Sequence, residues 1–208
     1  MKILIGTTNE SKVNRFKELL KGHNCEFFTL KDLNITDEPE EKGSTPEENA
    51  VIKAKFYSKF FDKVICNDSG LYFEELPLND RRQPGLNVRT PYGKRLDDTE
   101  MINHYSELIN SLGGKVSAYY LDGFAVYNSG KIYSYMSLEE AKKMAFYMVG
   151  ESNYNWNPGW PLDSMSINKN TGKLFTDKEN KYYEDNENII VEKYREDLGK
   201  FLSRSFGF

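Results

Sequence analysis

The stretch from Glu41 to Phe73, EKGSTPEENAVIKAKFYSKFFDKVICNDSGLYF, constrains the fold more than any other part of the chain. Thr45 is a suitable helix N-cap, Pro46 suits the first helical position because its missing N–H would have had no partner there, and Glu48 completes a capping box. The spacing of Ala50, Ala54, Tyr57 and Phe61 puts apolar side chains on one face of the helix that follows. Val64-Ile65-Cys66 is too short for a helix and rich in β-branched residues. It therefore reads as a buried strand, closed by the turn-forming cluster Asn67-Asp68-Ser69-Gly70. Asp68 then falls at the carboxyl end of a buried strand, where open α/β sheets place ligand sites, and Glu41 lies just ahead of the capped helix. Two carboxylates from separate loops suit Mg²⁺, which takes one or two carboxylates and completes its shell with water and substrate phosphates. A plainer reading stays open from this stretch alone, with 67–70 only a turn and Glu41 only a solvated acid.

The N-terminus repeats the theme. Lys2 to Ile5 is a β-type run, Gly6-Thr7-Thr8-Asn9 a loop, and Ser11 to Leu20 carries apolar residues at Val13, Phe16, Leu19 and Leu20. A strand–loop–helix junction points free backbone N–H groups and the positive end of the helix dipole at the loop, which favours phosphate. Thr7, Thr8, Asn9 and Lys12 add hydroxyl, amide and ammonium donors. The loop lacks the GK[ST] ending of a Walker loop and, with one glycine, is not the dinucleotide fingerprint. Taken alone, it reads more readily as an ordinary βα turn with polar residues.

The rest of the composition narrows the chemistry. At 208 residues and a net charge of −4, the chain is long enough for a sizeable core and poorly charged for a nucleic acid polymer. Cys25 and Cys66 fit no disulfide framework or zinc spacing, which suggests a reduced, cytoplasmic setting. No apolar run approaches the length of a membrane span, and no leader pattern is present, so neither membrane nor secretion is expected. His23 and His104 have no ligand-spaced neighbours, so zinc chemistry and a Ser-His-Asp triad lose ground. Carboxylates and lysines remain.

Three ordered motifs, TTNESK after a first strand, EKGSTPEENAVIKA, and NDSGL after a later strand, resemble the Ham1 family of pyrophosphatases acting on non-standard purine nucleoside triphosphates. The resemblance implies an α/β fold: an elongated mixed β-sheet flanked by helices, two lobes with a central cleft, and residues 1–208 as one domain. It also implies that Thr7, Thr8, Asn9 and Lys12 contact phosphates, that Glu41 and Asp68 hold Mg²⁺, that Asp68 activates water, and that Ser69 lies against substrate. The implied reaction takes a nucleoside triphosphate to the monophosphate and pyrophosphate, in a cytoplasmic homodimer. Two readings compete with it, a nucleotide-binding homologue that turns over slowly or not at all, and a Mg²⁺ phosphatase releasing orthophosphate.

Beyond Gln83-Pro84-Gly85-Leu86 the match weakens. Arg89, in a basic loop, is a candidate phosphate contact. Asp98 to Leu112 is an amphipathic helix, and Val116–Tyr127 with Lys131–Met136 forms a β-hairpin around Asn128-Ser129-Gly130. Tyr119, Phe124, Tyr127 and Tyr133 are expected in the core. Ser137 with Glu140 makes a capping box and predicts a helix over 137–149, where the family usually has strand and Gly-rich loop. Asn157-Pro158-Gly159-Trp160-Pro161-Leu162-Asp163 stands in place of the family's GFGYDP motif. Trp160 is either a base-stacking aromatic or a loop anchor. Lys181 is the nearest equivalent of the family's lysine, and no Ser-His-Arg element follows. Asn67 replaces a common second acid, and Arg15 a common glutamate. A C-terminal helix is expected over 188–205.

Overall fold

A computed structural model of the chain describes the backbone of residues 1–156, 159–177 and 184–208, and the side chains of all these except 184–189. Seven strands lie among the described residues: β1 (Lys2–Ile5), β2 (Glu26–Thr29), β3 (Lys63–Phe73), β4 (Lys115–Asn128), β5 (Lys131–Met136), β6 (Phe146–Val149) and β7 (Ser166–Ile167). The helices are α1 (Glu10–Leu19), α2 (Pro46–Tyr57), α3 (Asp98–Ser111), α4 (Leu138–Lys143) and α5 (Glu184–Phe206). The strands hydrogen-bond in the order β2-β1-β3-β4-β6-β7, with β5 on β4. β1 runs parallel to β2 and β3, whereas β4–β5, β4–β6 and β6–β7 are antiparallel, so the sheet is mixed as expected. None of the described helices is long and apolar enough to cross a membrane.

The chain groups into two compact units: Met1–Ser69, Asp122–Ser137 and Glu192–Phe208 form the first, Gly70–Leu121 and Leu138–Val191 the second. In the first, Leu4, Ala50, Ala54, Tyr57, Val64, Cys66 and Ala125 form one buried cluster under α2. In the second, Met101, Ile102, Tyr105 and Ile109 of α3 pack with Val116, Ala118, Phe146 and Met148 of the strands. Each Val, Leu, Ile, Phe or Met side chain among these contributes about 1.5–3 kcal/mol when fully buried. Leu198 and Leu202 of α5 are fully buried and Tyr194 nearly so, while Ile190 stays exposed.

Several local expectations are modified. The Thr45 hydroxyl accepts from the Glu48 N–H at 3.2 Å, but the Glu48 carboxylate reaches Ser44 rather than Thr45, taking both its N–H and its hydroxyl. α2 ends at Tyr57, which leaves Phe61 beyond it. The hairpin turn is as read: Ser129 (φ 48°) and Gly130 (φ 90°) both have the positive φ that a two-residue turn of this hand requires. Tyr119 and Phe124 are core residues, but Tyr133 is exposed.

Two expectations fail. Residues 137–149 are not one helix: α4 stops at Lys143 and Phe146–Val149 is strand β6. Phe146 and Met148 alternate into the α3 core while pairing with Ala118 and Val116, and that burial outweighs the helical propensity of the segment. Nor does Asn67-Asp68-Ser69-Gly70 end its strand, because β3 continues through it to Phe73. The turn propensity of these residues is overridden by partners for their side chains and by Gly70, where a Cβ would lie 2.8 Å from the Gly85 carbonyl oxygen. The pairing of β3 with β1 does stop at Ile65, where the Gly6 N–H donates to the Ile65 carbonyl at 2.9 Å. Asp68 therefore lies just past the parallel ladder, though inside the strand.

Candidate active site

Three elements of the first unit deliver the charged residues. The β1–α1 junction is tight because Gly6 packs where a Cβ would sit 2.5 Å from the Cys66 sulfur and 2.8 Å from the Tyr57 ring. Thr7 Oγ1 accepts from the Asn9 N–H at 3.2 Å, and Asn9, the α1 N-cap, accepts from the Lys12 N–H at 3.2 Å. The Asn9 oxygen is thus engaged in holding the helix start, while Thr8 is exposed and Thr7 half-buried.

α2 is seated by β4: a Cβ on Gly123 would lie 2.1 Å from the Glu47 nitrogen, so only glycine lets the helix start approach this closely. The seating places Asn49 and Lys53, four residues apart on one side of α2, over Asp68. Asn49 Nδ2 donates to Asp68 Oδ2 at 3.0 Å and Lys53 Nζ to Asp68 Oδ1 at 3.1 Å. The same ammonium lies 3.0 Å from Glu41 Oε1. The two acids singled out from sequence are thus brought together on one cation, with the Lys53 and Asp68 side chains only 17% and 14% exposed.

Electrostatics tie Lys12 to this group. Burial and the Lys53 charge lower the Lys12 pKa below its ordinary value, and Asp68 and Asp122 offset only part of that. Lys53 goes the other way: burial disfavours its charge, but Asp68 and Glu41 outweigh burial and hold its pKa above the usual lysine value. Burial pushes the Cys66 thiol up to about 12, so it stays protonated and inert.

On the opposite face of β3, Ser69 Oγ donates to Asp122 Oδ1 at 2.5 Å, and Arg15 Nη1 reaches Asp122 Oδ2 at 2.7 Å. Arg89 and Trp160 belong to the second unit. There Arg89 pairs with Asp98 at 2.9 Å and donates to the Gly159 carbonyl at 3.1 Å, contacts that join two loops, and Trp160 is half exposed. Lys181, like Asn157 and Pro158, lies outside the described residues.

Sequence reasoning missed Asn49, Lys53 and Asp122. The first two carry a faint signal, since they sit one residue before Ala50 and Ala54 and so flank the apolar stripe of α2. Asp122 carries none, because an acid in a strand is more often solvated.

The acid–lysine–acid centre stands beside a strand–loop–helix junction, on the mixed sheet flanked by helices of an α/β protein. A family model described as the Ham1 family matches residues 3–182, and the chain belongs to that family. It is 30% identical over 191 residues to a dITP/XTP pyrophosphatase of Thermoanaerobacter pseudethanolicus, covering 87% of this chain and 89% of that one. With a dITP/XTP pyrophosphatase of Bacillus subtilis it shares 38% identity over 96 residues, 46% of each chain. Among solved structures, a HAM1 protein from Coxiella burnetii superimposes with a TM-score of 0.71 at 22% identity, covering 96% of this chain and 99% of that one. A dITP/XTP pyrophosphatase from Mycobacterium abscessus gives 0.72 at 19% identity, covering 94% and 97%. Both share the fold.

Proposed function

We propose that this chain hydrolyses deaminated purine nucleoside triphosphates, of the dITP and XTP type, to the monophosphate and pyrophosphate. The observation that carries the reading is the convergence of Glu41 and Asp68 on one ammonium, with Lys12 electrostatically coupled to the same group. The relatives that share most of its length bear that activity in their names.

The donor set fits Mg²⁺. Two hard oxygen donors already converge on a single cation, and among the described residues no third His, Cys, Asp or Glu joins them, which leaves the rest of a shell to water and phosphate. In this reading Glu41 and Asp68 hold the ion, which when bound neutralises phosphate charge and makes water there more acidic. Asn49 and Lys53 each take one oxygen of Asp68, fixing the carboxylate plane. A carboxylate has about four lone-pair sites; with one taken by Asn49, one by Lys53 and one facing the ion, one remains to orient a water and take its proton. As the water oxygen bonds to the α-phosphorus, the bond to the bridging oxygen breaks and pyrophosphate leaves. Lys12 and the N-terminal amides of α1 stabilise the charge that grows on it. A cytoplasmic homodimer is part of the same proposal and rests on the resemblance alone.

The test is to incubate the protein and Mg²⁺ with dITP, XTP, ITP and the standard triphosphates, reading pyrophosphate and orthophosphate separately. Pyrophosphate from the deaminated purines supports the reading. Orthophosphate in its place, or tight binding without product, would replace it with a phosphatase or a binding protein.

A further inference from the structure

Asp68 and Ser69 are neighbours in a strand, so their side chains leave on opposite faces. Asp68 faces α2, and Ser69 faces Asp122 of β4 and Arg15 of α1. The proposed mechanism uses the first face and leaves the second without a role. That second face is a built polar centre. The Asp122 carboxylate is clamped on both oxygens, by Ser69 at 2.5 Å and by Arg15 at 2.7 Å. The guanidinium in turn lies over the rings of Phe124, at 5.1 Å, and Tyr194, at 5.8 Å. An ionised carboxylate only accepts hydrogen bonds, so the single hydroxyl hydrogen of Ser69 is committed to Asp122. Ser69 is left with lone pairs to offer.

Asn67, on the same face of β3, follows from this. Its Nδ2 points at Ser69 Oγ from 3.5 Å, the only sense in which the amide meets an oxygen whose hydrogen is already used. Asn67 Oδ1 is consequently buried with no partner among the described residues, in a side chain only 2% exposed. Buried acceptors are normally satisfied, so this face of β3 presents two oxygens and lacks a hydrogen.

We propose that Asp122, clamped by Arg15, is a positioning residue that fixes Ser69 as a hydrogen-bond acceptor, so that the group meeting Ser69 in the working enzyme is a donor, a sugar hydroxyl or a water, and not a phosphate oxygen. The proposal rests on the pyrophosphatase reading for its kinetic consequence, but not for its geometry.

Removing Asp122 alone would leave a half-buried guanidinium without its carboxylate and destabilise the chain, so the test replaces the pair. The double variant Arg15→Met/Asp122→Leu removes the acceptor while keeping the volume apolar. Arg15→Met/Asp122→Asn keeps a carbonyl that can still take the Ser69 hydrogen. Ser69→Ala is the benchmark. The first double variant is expected to lower kcat/KM by about ten-fold, the factor one hydrogen bond carries, and to match Ser69→Ala. The second is expected to recover most of that loss, and Ser69→Ala added to the first double variant is expected to cost nothing further. Equal activity in the two double variants, or losses that simply add, would overturn the proposal. Assays on ITP and dITP separate the donors: a loss confined to ITP assigns the 2′-hydroxyl, an equal loss on both assigns the 3′-hydroxyl or a water, and either supports the proposal. Crystal structures of the two double variants read the geometry directly. Ser69 should rotate in the Leu variant and stay in the Asn variant, and an unmoved Ser69 in the former would sink the idea whatever the activity. If the wild-type protein releases no pyrophosphate, the functional reading fails and the rotamer alone decides this one.

Discussion

Lys53 Nζ sits 3.1 Å from Asp68 Oδ1 while also lying 3.0 Å from Glu41 Oε1, so the ammonium holds together the two carboxylates proposed to bind a divalent cation. Lysine and metal therefore compete for the same oxygens. Lys53→Met should tighten Mg²⁺ binding to the nucleotide-free protein by at least about ten-fold, since a unit charge about 3 Å away is removed. Titration calorimetry would show it. Unchanged or weaker binding would mean that the metal does not use these two acids.

Substituting the acids themselves addresses the chemistry. Asp68→Asn and Glu41→Gln should each lower turnover by at least ~100-fold, the scale of a lost proton-transfer group or metal ligand. Both replacements nearly preserve shape, so the circular dichroism spectrum should stay that of the parent. Near-normal turnover in either variant removes that residue from the mechanism.

The Lys12 pKa, lowered first by burial and then by Lys53, predicts a pH dependence. Phosphate contact needs the ammonium. As pH rises, Lys12 loses its proton before a free lysine would, so kcat/KM should fall on the alkaline side with a midpoint below the ordinary value of 10.5. Lys12→Arg, which stays charged, should carry that limb to higher pH. A profile flat through the region would exclude the role. Stability responds with opposite signs at the two lysines. Lys12, depressed, penalises folding at low pH, and the penalty is relieved as pH rises through its folded pKa towards 10.5. Lys53, elevated, stabilises fully below 10.5, and that stabilisation is lost as pH climbs through its folded pKa.

Gly123 is a packing prediction. An added methyl would meet backbone atoms of Glu47 and Pro46, which cannot rotate away. Gly123→Ala should therefore cost at least about 2 kcal/mol in denaturant unfolding and loosen the start of α2. A loss below about 0.5 kcal/mol, the scale of an ordinary surface change, would show that α2 is seated by other contacts.

How far the sequence could be read depended on whether the cause was local. The α2 start was legible because Thr45 and Pro46 act on their own neighbourhood, and the β4–β5 hairpin because Ser129-Gly130 carries its own φ requirement. β6 was hidden, since a capping signal at Ser137 and helix-forming residues beyond it argue against a strand that only the α3 core and β4 make favourable. β3 misled in the same way: Asn67-Asp68-Ser69-Gly70 has turn composition, and only Asn49, Lys53 and Asp122, distant in sequence, make it extended. Glu41 and Asp68 were found because carboxylates announce metal chemistry. Lys53 escaped notice because a helical lysine is ordinarily solvated.

The pleat of β3 adds a constraint on how this gene can vary. Asp68 and Ser69 serve different layers only because they occupy alternate positions, so inserting or deleting one residue upstream in β3 would exchange their faces. The carboxylate would then point at Arg15 and the hydroxyl at Lys53, with every atom of both side chains still in the chain. Length changes that the surface loops can absorb are closed to the short run from Lys63 to Ser69.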